Sequence, residues 1–322
     1  MKLRKKNNIS YILLLLALIV IMFAAVVVAQ SLKEIGGDIL GTSPTPTITS
    51  SPEDATPTIE DGTATPTETV NTPTPEVTPT PTPTPKGTNT PMPIIEKIDE
   101  SKLIGLDDTL RTWSFEYPYL KAVDHGAVFK KNEDQKVIYL TIDEGYEMGY
   151  TSIMLDVLKE KNVKAIFFIT GSYIRKNPDL VKRMVDEGHL VGNHTNTHPA
   201  MANKSVDDFI QELVIVEKEY EKLIGKGKRM YYYRPPAGAF SIRDINIANQ
   251  MGYETVFWSF AYRDWEVDNQ LGIDYAHDTV VAGLHDGMVL LLHAVSHDNA
   301  YALGRIIDTA RELGYEFRRI DE

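Results

Sequence analysis

Cysteine is absent from the 322 residues. That excludes a disulfide framework, thiolate metal sites and thiol nucleophiles together. Positive charge is short as well: 33 Lys and Arg stand against 45 Asp and Glu, a formal charge of −12. Neutralising phosphates takes clustered cations, so nucleic acid is a poor partner for this chain. Proline is scarce over most of the length. Of its 18 prolines, 13 lie between Pro44 and Pro93, and the rest of the chain has ordinary globular content. One compact folded unit is expected rather than two.

The long apolar run is confined to the start. Lys2, Arg4, Lys5 and Lys6 precede an uncharged, nearly wholly apolar stretch from Ile9 to Gln30. A spanning helix takes about 20 such residues and a signal-peptide core about 7–15, so the length favours a retained anchor within residues 1–35. The small-residue ending Val27-Val28-Ala29 leaves cleavage as the alternative. Either way the basic flank stays in the cytoplasm and the remainder is placed outside, which makes the protein a single-pass, extracytoplasmic one, or a secreted one if cut. Residues 36–93 are rich in Thr-Pro, alternating strictly from Thr78 to Pro85. Proline lacks the N–H and fixes φ, so this segment reads as an extended, disordered polyproline spacer. At about 3.1 Å per residue it can reach roughly 180 Å, a tether suited to work on a polymer beyond the membrane.

Residues 94–322 read as the folded domain. Short runs rich in Val, Ile, Leu, Phe and Tyr at Lys136–Ile142, Ala165–Ile169, His189–Asn193, Tyr231–Tyr233, Thr255–Ser259, Met288–Leu292 and Tyr315–Arg319 predict seven buried strands. Helical spacing separates them, clearest over Val206–Ile224, and Asn177-Pro178, Ser241 and Asn299 read as helix starts. Alternating strands and helices imply parallel βαβ units, closed into an incomplete barrel or left as an open doubly wound sheet. The reactive residues cluster at the carboxyl ends of the strands. Asp143 and Glu144 follow the first, His194 and His198 the third, Arg234 the fourth; Asp264 and Trp265 come after the fifth and His293 closes the sixth. Parallel α/β architectures assemble active sites on that face.

Each block also has a bland reading. Asp143-Glu144-Gly145 could be a turn, although two adjacent carboxylates can divide the work of general base and metal ligand. His194 and His198, four apart, can share one cation if the segment turns, and Pro199 disfavours α conformation at His198, so a loop or single turn is expected there. Two His and a carboxylate leave an open position on a divalent ion, the catalytic pattern for zinc. Arg234 could simply pair with a carboxylate. The Pro235-Pro236 that follows could instead aim the backbone N–H of Ala237 or Gly238 as an oxyanion donor. Trp258 reads as core, whereas Trp265 could line a sugar cleft. His125, His189, His277 and His285 have no partner pattern and read as structural or surface residues.

In this order the blocks Thr141-Ile142-Asp143-Glu144-Gly145, His194-Thr195-Asn196-Thr197-His198, Arg234-Pro235-Pro236-Ala237-Gly238, Arg263-Asp264-Trp265 and Leu291-Leu292-His293 resemble the five motifs of the polysaccharide deacetylase family, carbohydrate esterases with a NodB-type domain. Gly145-Tyr146-Glu147, Trp258-Ser259-Phe260-Ala261 and Ser296, Asp298, Asn299 and Ala300 look like the subgroup that deacetylates muramic acid in spore-cortex peptidoglycan on the way to muramic δ-lactam, and Trp113-Ser114-Phe115 resembles its N-terminal extension. The resemblance implies a distorted (β/α) barrel of about seven strands and a de-N-acetylase. It implies Asp143 as base, His293 as acid, Arg234 positioning Asp143, and Asp264 orienting Arg234 or raising the pKa of His293. Ala237 would supply the oxyanion N–H, Leu291 the acetyl pocket and Trp265 a sugar contact. His194, His198 and Glu144 would hold a divalent metal, zinc by preference. Two departures stand out: Glu144 occupies the usual Asp position, and Ala237 replaces an aromatic residue.

The expected partners are peptidoglycan or a related acetylated glycan and the membrane, with the protein a monomer. The alternatives are deacetylation of N-acetylglucosamine in peptidoglycan or chitin, or of xylan, and an inactive cell-surface glycan-binding module. A glycosidase using Asp143 with Glu144 fits poorly, because adjacent residues on a strand face opposite sides.

Overall fold

The computed structural model describes residues 93–322 apart from 116, 117 and 203; the expected anchor and Thr-Pro linker lie outside the described residues. Among the described residues no helix is long and apolar enough to cross a membrane. In chain order the elements are β1 (Arg111–Thr112), α1 (Lys121–Asp124), β2 (Val137–Glu144), α2 (Thr151–Glu160), β3 (Ile166–Ile169), α3 (Gly171–Lys176), α4 (Pro178–Asp186), β4 (Leu190–Asn193), α5 (Val206–Ile224), β5 (Tyr232–Tyr233), β6 (Ala239–Phe240), α6 (Ile242–Gln250), β7 (Glu254–Thr255), α7 (Ile273–Ala282), β8 (Met288–His293), α8 (His297–Glu312) and β9 (Glu316–Phe317).

Seven strands form one parallel sheet in the order β7-β5-β4-β3-β2-β8, with β9 pairing the start of β2. Every residue of β2 is buried, as expected for a central strand covered on both faces. The sheet curls toward a barrel. Past β7 the chain meets β8 through a Phe260–Leu290 bridge, and Ser259 N–H donates to the Val289 carbonyl at 3.0 Å. The fifth strand, expected over Thr255–Ser259, is therefore a two-residue ladder followed by isolated bridges. A second, two-stranded sheet, β1 with β6, lies antiparallel.

The helices form where the apolar spacing placed them. α5 spans Val206–Ile224 and turns Phe209, Leu213, Val216 and Tyr220 into the core. Ser205 caps it, and Ser241 and Asp244 make a reciprocal capping box at the start of α6, satisfying N–H groups that a helix start leaves orphaned. One start is corrected. Asn299 does not begin the last helix: Ser296 is its cap and Asn299 lies one turn in, which frees the Asn299 side chain for the site below.

Candidate active site

Because every strand of the main sheet is parallel, their carboxyl ends gather at one face. The register then sets neighbours: Asp143 at the end of β2 lies directly opposite His293 at the end of β8. A cavity of about 1180 Å³ opens there. Asp143, His194, His198, Ala237, Asp264, Trp265, Leu291 and His293 all line it.

Arg234 sits beneath the cavity floor, fully buried. Four of its N–H groups are used: Nη1 donates to Asp143 Oδ1 at 2.7 Å, Nη2 to Thr141 Oγ1 at 2.9 Å and the Phe257 carbonyl at 3.0 Å, and Nε to the Val256 carbonyl at 3.0 Å. Its guanidinium lies 4.2 Å from the Phe168 ring centroid. Phe168 reaches that position because β4 carries glycine opposite it: a Cβ on Gly192 would stand 2.5 Å from the Phe168 ring. Burial opposes ionisation of Asp143, but Arg234, then His194 and His293, outweigh it and hold the carboxyl below its ordinary value of 3.8.

The neighbouring pair has the opposite electrostatics. His293 Nδ1–H donates to Asp264 Oδ1 at 2.7 Å, in the tautomer that leaves Nε2 facing the cavity, and the His293 backbone N–H donates to Asp264 Oδ2 at 2.7 Å. Asn299 Nδ2 holds the same carboxylate at 2.5 Å. Burial would lower the His293 pKa, yet Asp264 outweighs it and raises the imidazole above its ordinary 6.5. Asp264 thus serves His293 and not Arg234, which closes the choice left open by the sequence. The Trp265 ring stands edge-on to His293, with centroids 5.5 Å apart.

His194 and His198 face each other with ring centroids 4.9 Å apart. Thr195 and His198 both adopt positive φ, 69° and 59°, so the motif is a tight loop and not a helix. Asn193 and Thr195 brace it: Asn193 Oδ1 accepts from Thr195 N–H at 3.0 Å, and Thr195 Oγ1 from His198 N–H at 3.0 Å. His194 Nδ1–H donates to the Arg234 carbonyl at 2.8 Å, leaving Nε2 as an acceptor 3.6 Å from Asp143 Oδ2. Burial lowers His194 to about 4 and lowers His198 as well. Both are neutral near pH 7, so the contact with Asp143 is not an ion pair.

Glu144 does not join them. Successive residues of a strand point to opposite faces, so with Asp143 in the cavity Glu144 turns inward. It is fully buried against α2, where Thr151 Oγ1 donates to it at 3.2 Å. Burial and the nearby Glu147 carboxylate push its pKa well above the ordinary 4.5. The expected ligand set of His194, His198 and Glu144 is therefore corrected. Among the described residues no three His, Asp or Glu side chains form an ion cage. The two neutral imidazoles, with acceptor nitrogens free, suit a divalent ion as two of its ligands; the third is missing from the motif.

A relative, the peptidoglycan-N-acetylmuramic acid deacetylase PdaA of Bacillus subtilis, is 44% identical over 198 residues, 62% of this chain and 75% of that one. The chain belongs to the polysaccharide deacetylase family. The family model for polysaccharide deacetylases matches residues 130–256. A peptidoglycan-N-acetylglucosamine deacetylase of Bacillus cereus is 32% identical over 194 residues, 59% of this chain and 88% of that protein. The solved structure of Bacillus subtilis PdaA, a family 4 carbohydrate esterase, superposes with a TM-score of 0.64 at 40% identity, covering 66% of this chain and 96% of that one. Deacetylases of this family are in general metal-dependent.

Three residues of the deacetylase site escaped the sequence reading. Thr141, read only as part of a motif, anchors Arg234 and donates to the Leu290 carbonyl at 2.8 Å. Asn299 holds Asp264. Trp258, expected in the core, is only partly buried and lines the cavity. Their partners lie too far along the chain for spacing to reveal them.

Proposed function

We propose that the protein is a hydrolase that removes N-acetyl groups from peptidoglycan, with N-acetylmuramic acid as its sugar. One observation carries this reading: a carboxylate whose ionised form Arg234 favours and an imidazole whose proton Asp264 helps retain sit side by side on β2 and β8, both lining the cavity. Opposite shifts on neighbouring groups are what acid–base chemistry at one amide requires. The name of the relative at 44% identity supports muramic acid.

Asp143 is the general base. Its Oδ1 is fixed by Arg234, which leaves Oδ2 to take a proton from water as that water attacks the acetamide carbon. A carboxylate with a lowered pKa is a weak base, so proton transfer and attack proceed together. The tetrahedral oxyanion needs a preorganised donor. Gly238 N–H is committed to the Pro235 carbonyl at 3.0 Å, and the prolines have none, so Ala237 N–H takes that role. Leu291, on the cavity wall, accepts the acetyl methyl. His293 protonates the departing nitrogen, the C–N bond breaks, and acetate and a free amino sugar leave. Trp265, half-exposed at the mouth, offers a face to the sugar ring. A divalent ion held by His194 and His198, zinc by the preference of imidazole, would add Lewis-acid polarisation of the acetamide.

On muramic acid the freed amine lies beside the lactyl carboxyl, and loss of water between them closes the δ-lactam of spore-cortex peptidoglycan. The apolar run at Ile9–Gln30 and the Thr-Pro spacer fit a membrane-tethered enzyme acting outside the cell. Treating purified muropeptides and chitin oligomers with the protein and weighing the products tests the reading. Loss of one acetyl mass from muramic acid is expected, and loss only from N-acetylglucosamine would overturn the sugar assignment.

A further inference from the structure

Trp113 lies ahead of the stretch matched by the family model, and the chemistry above gives it no part. It is 3% exposed and tied at three points. Its backbone N–H donates to the Gly238 carbonyl at 2.8 Å, and its indole N–H to the Trp258 carbonyl at 2.8 Å. Its ring stacks on Phe257 with centroids 4.3 Å apart and planes within 12°.

Each tie ends on a segment that holds a reacting group. The carbonyls of Val256 and Phe257 accept from Arg234, the residue that aims Asp143. Gly238 closes the turn that presents Ala237, and Ala237 itself is held at φ 53°. A left-handed backbone in a residue with a Cβ persists only where its surroundings over-determine it. Trp113 supplies part of that constraint from within contact distance: a Cβ on Gly238 would stand 3.2 Å from Trp113 Cβ and 2.8 Å from Trp258 Cη2.

We propose that Trp113 is a positioning residue that clamps the Ala237–Gly238 turn to the Phe257–Trp258 segment, keeping the oxyanion donor and the Asp143–Arg234 pair in aim on the substrate carbonyl. Its kinetic consequence rests on the deacetylase reading, and its structural consequence on the contacts alone.

The full chain carrying Trp113→Phe tests it, since phenylalanine keeps a ring over Phe257 and loses the indole N–H; Trp113→Tyr takes its place should that variant fold poorly. Amide hydrogen exchange is followed at Gly238 and Ala239, which donate to Pro235 and Pro236, together with kcat and KM for acetate release. Exchange at those amides should rise about tenfold while α4 is unchanged. Loss of aim should lower kcat by about tenfold, less than deleting an oxyanion donor outright, and leave KM within about twofold. Wild-type exchange at the turn overturns the clamp, and wild-type kcat overturns its bearing on catalysis. A wild-type chain that releases no acetate from any glycan would sink the proposed function, while the exchange measurement would still decide the clamp.

Discussion

Two acid-bearing pairs stand side by side in the cavity and behave in opposite ways. Asp143 lies against a buried guanidinium that cannot lose its proton, so the carboxylate is the member held ionised. Asp264 lies against an imidazole that can lose its proton, so the histidine is the member whose pKa is moved, upward from its ordinary 6.5. The same residue type, aspartate, is thus favoured as an anion on one strand and strengthens an imidazole's hold on its proton at the next, and the partner alone makes the difference. Lys or Arg opposite both would have produced two inert salt bridges.

The largest expected effect breaks the first pair. Asp143→Asn should lower acetate release by about 10³-fold or more, within the range for loss of a positioned base, while circular dichroism reports an intact fold. Near-normal turnover would remove Asp143 from the mechanism. Breaking the second pair should cost less. Asp264→Asn should reduce kcat by about 10²-fold and move the alkaline limb of the pH–rate profile downward. With Asp264 in place that limb lies above 6.5, because His293 must keep its proton and its pKa is raised. An unmoved limb would separate the limb from His293.

The pairs also differ from two buried histidines, one of them outside the site, in how they answer to acid. His189 and His194 are both lowered to about 4 from an ordinary 6.5, burial being the main cause. A base whose folded pKa is depressed contributes stability fully above 6.5 and loses it as pH falls toward 4. The melting temperature should therefore decline across that window, and His189→Gln should shallow the decline without touching turnover. The smallest effect is expected at Glu144→Gln. Burial pushes this carboxyl well above its ordinary pKa and so favours its uncharged form, which the amide mimics, so stability should stay within about 0.5 kcal/mol, the ordinary range for an undisturbing change. Zinc binding by calorimetry should be unaffected by Glu144→Gln and abolished by His194→Ala with His198→Ala.

Much of the scaffold was legible because it is local. A run of β-branched and aromatic residues flanked by turn formers reads as a strand, and β2, β3, β4 and β8 lie within a residue or two of where those runs predicted them. Helix faces repeat at a fixed period, so α5 matches its expected span. The last helix start was less legible, since Asn299 has a capping side chain that tertiary structure recruits to Asp264 instead. Glu144 was misplaced for a related reason. A motif specifies residue types in order, but the pleat of β2 decides which of two adjacent carboxyls faces the cavity.

By itself the sequence determined the parallel strand–helix alternation and the face on which Asp143, His194, His198 and His293 gather. Only the tertiary structure decided which carboxylate serves which partner, that Glu144 turns inward, and that Trp113 reaches Gly238 and Trp258 from far along the chain. The reason is physical. Periodicity and turn chemistry act between residues a few positions apart, whereas pKa shifts and cavity walls arise from atoms a few ångströms apart that the fold alone brings together.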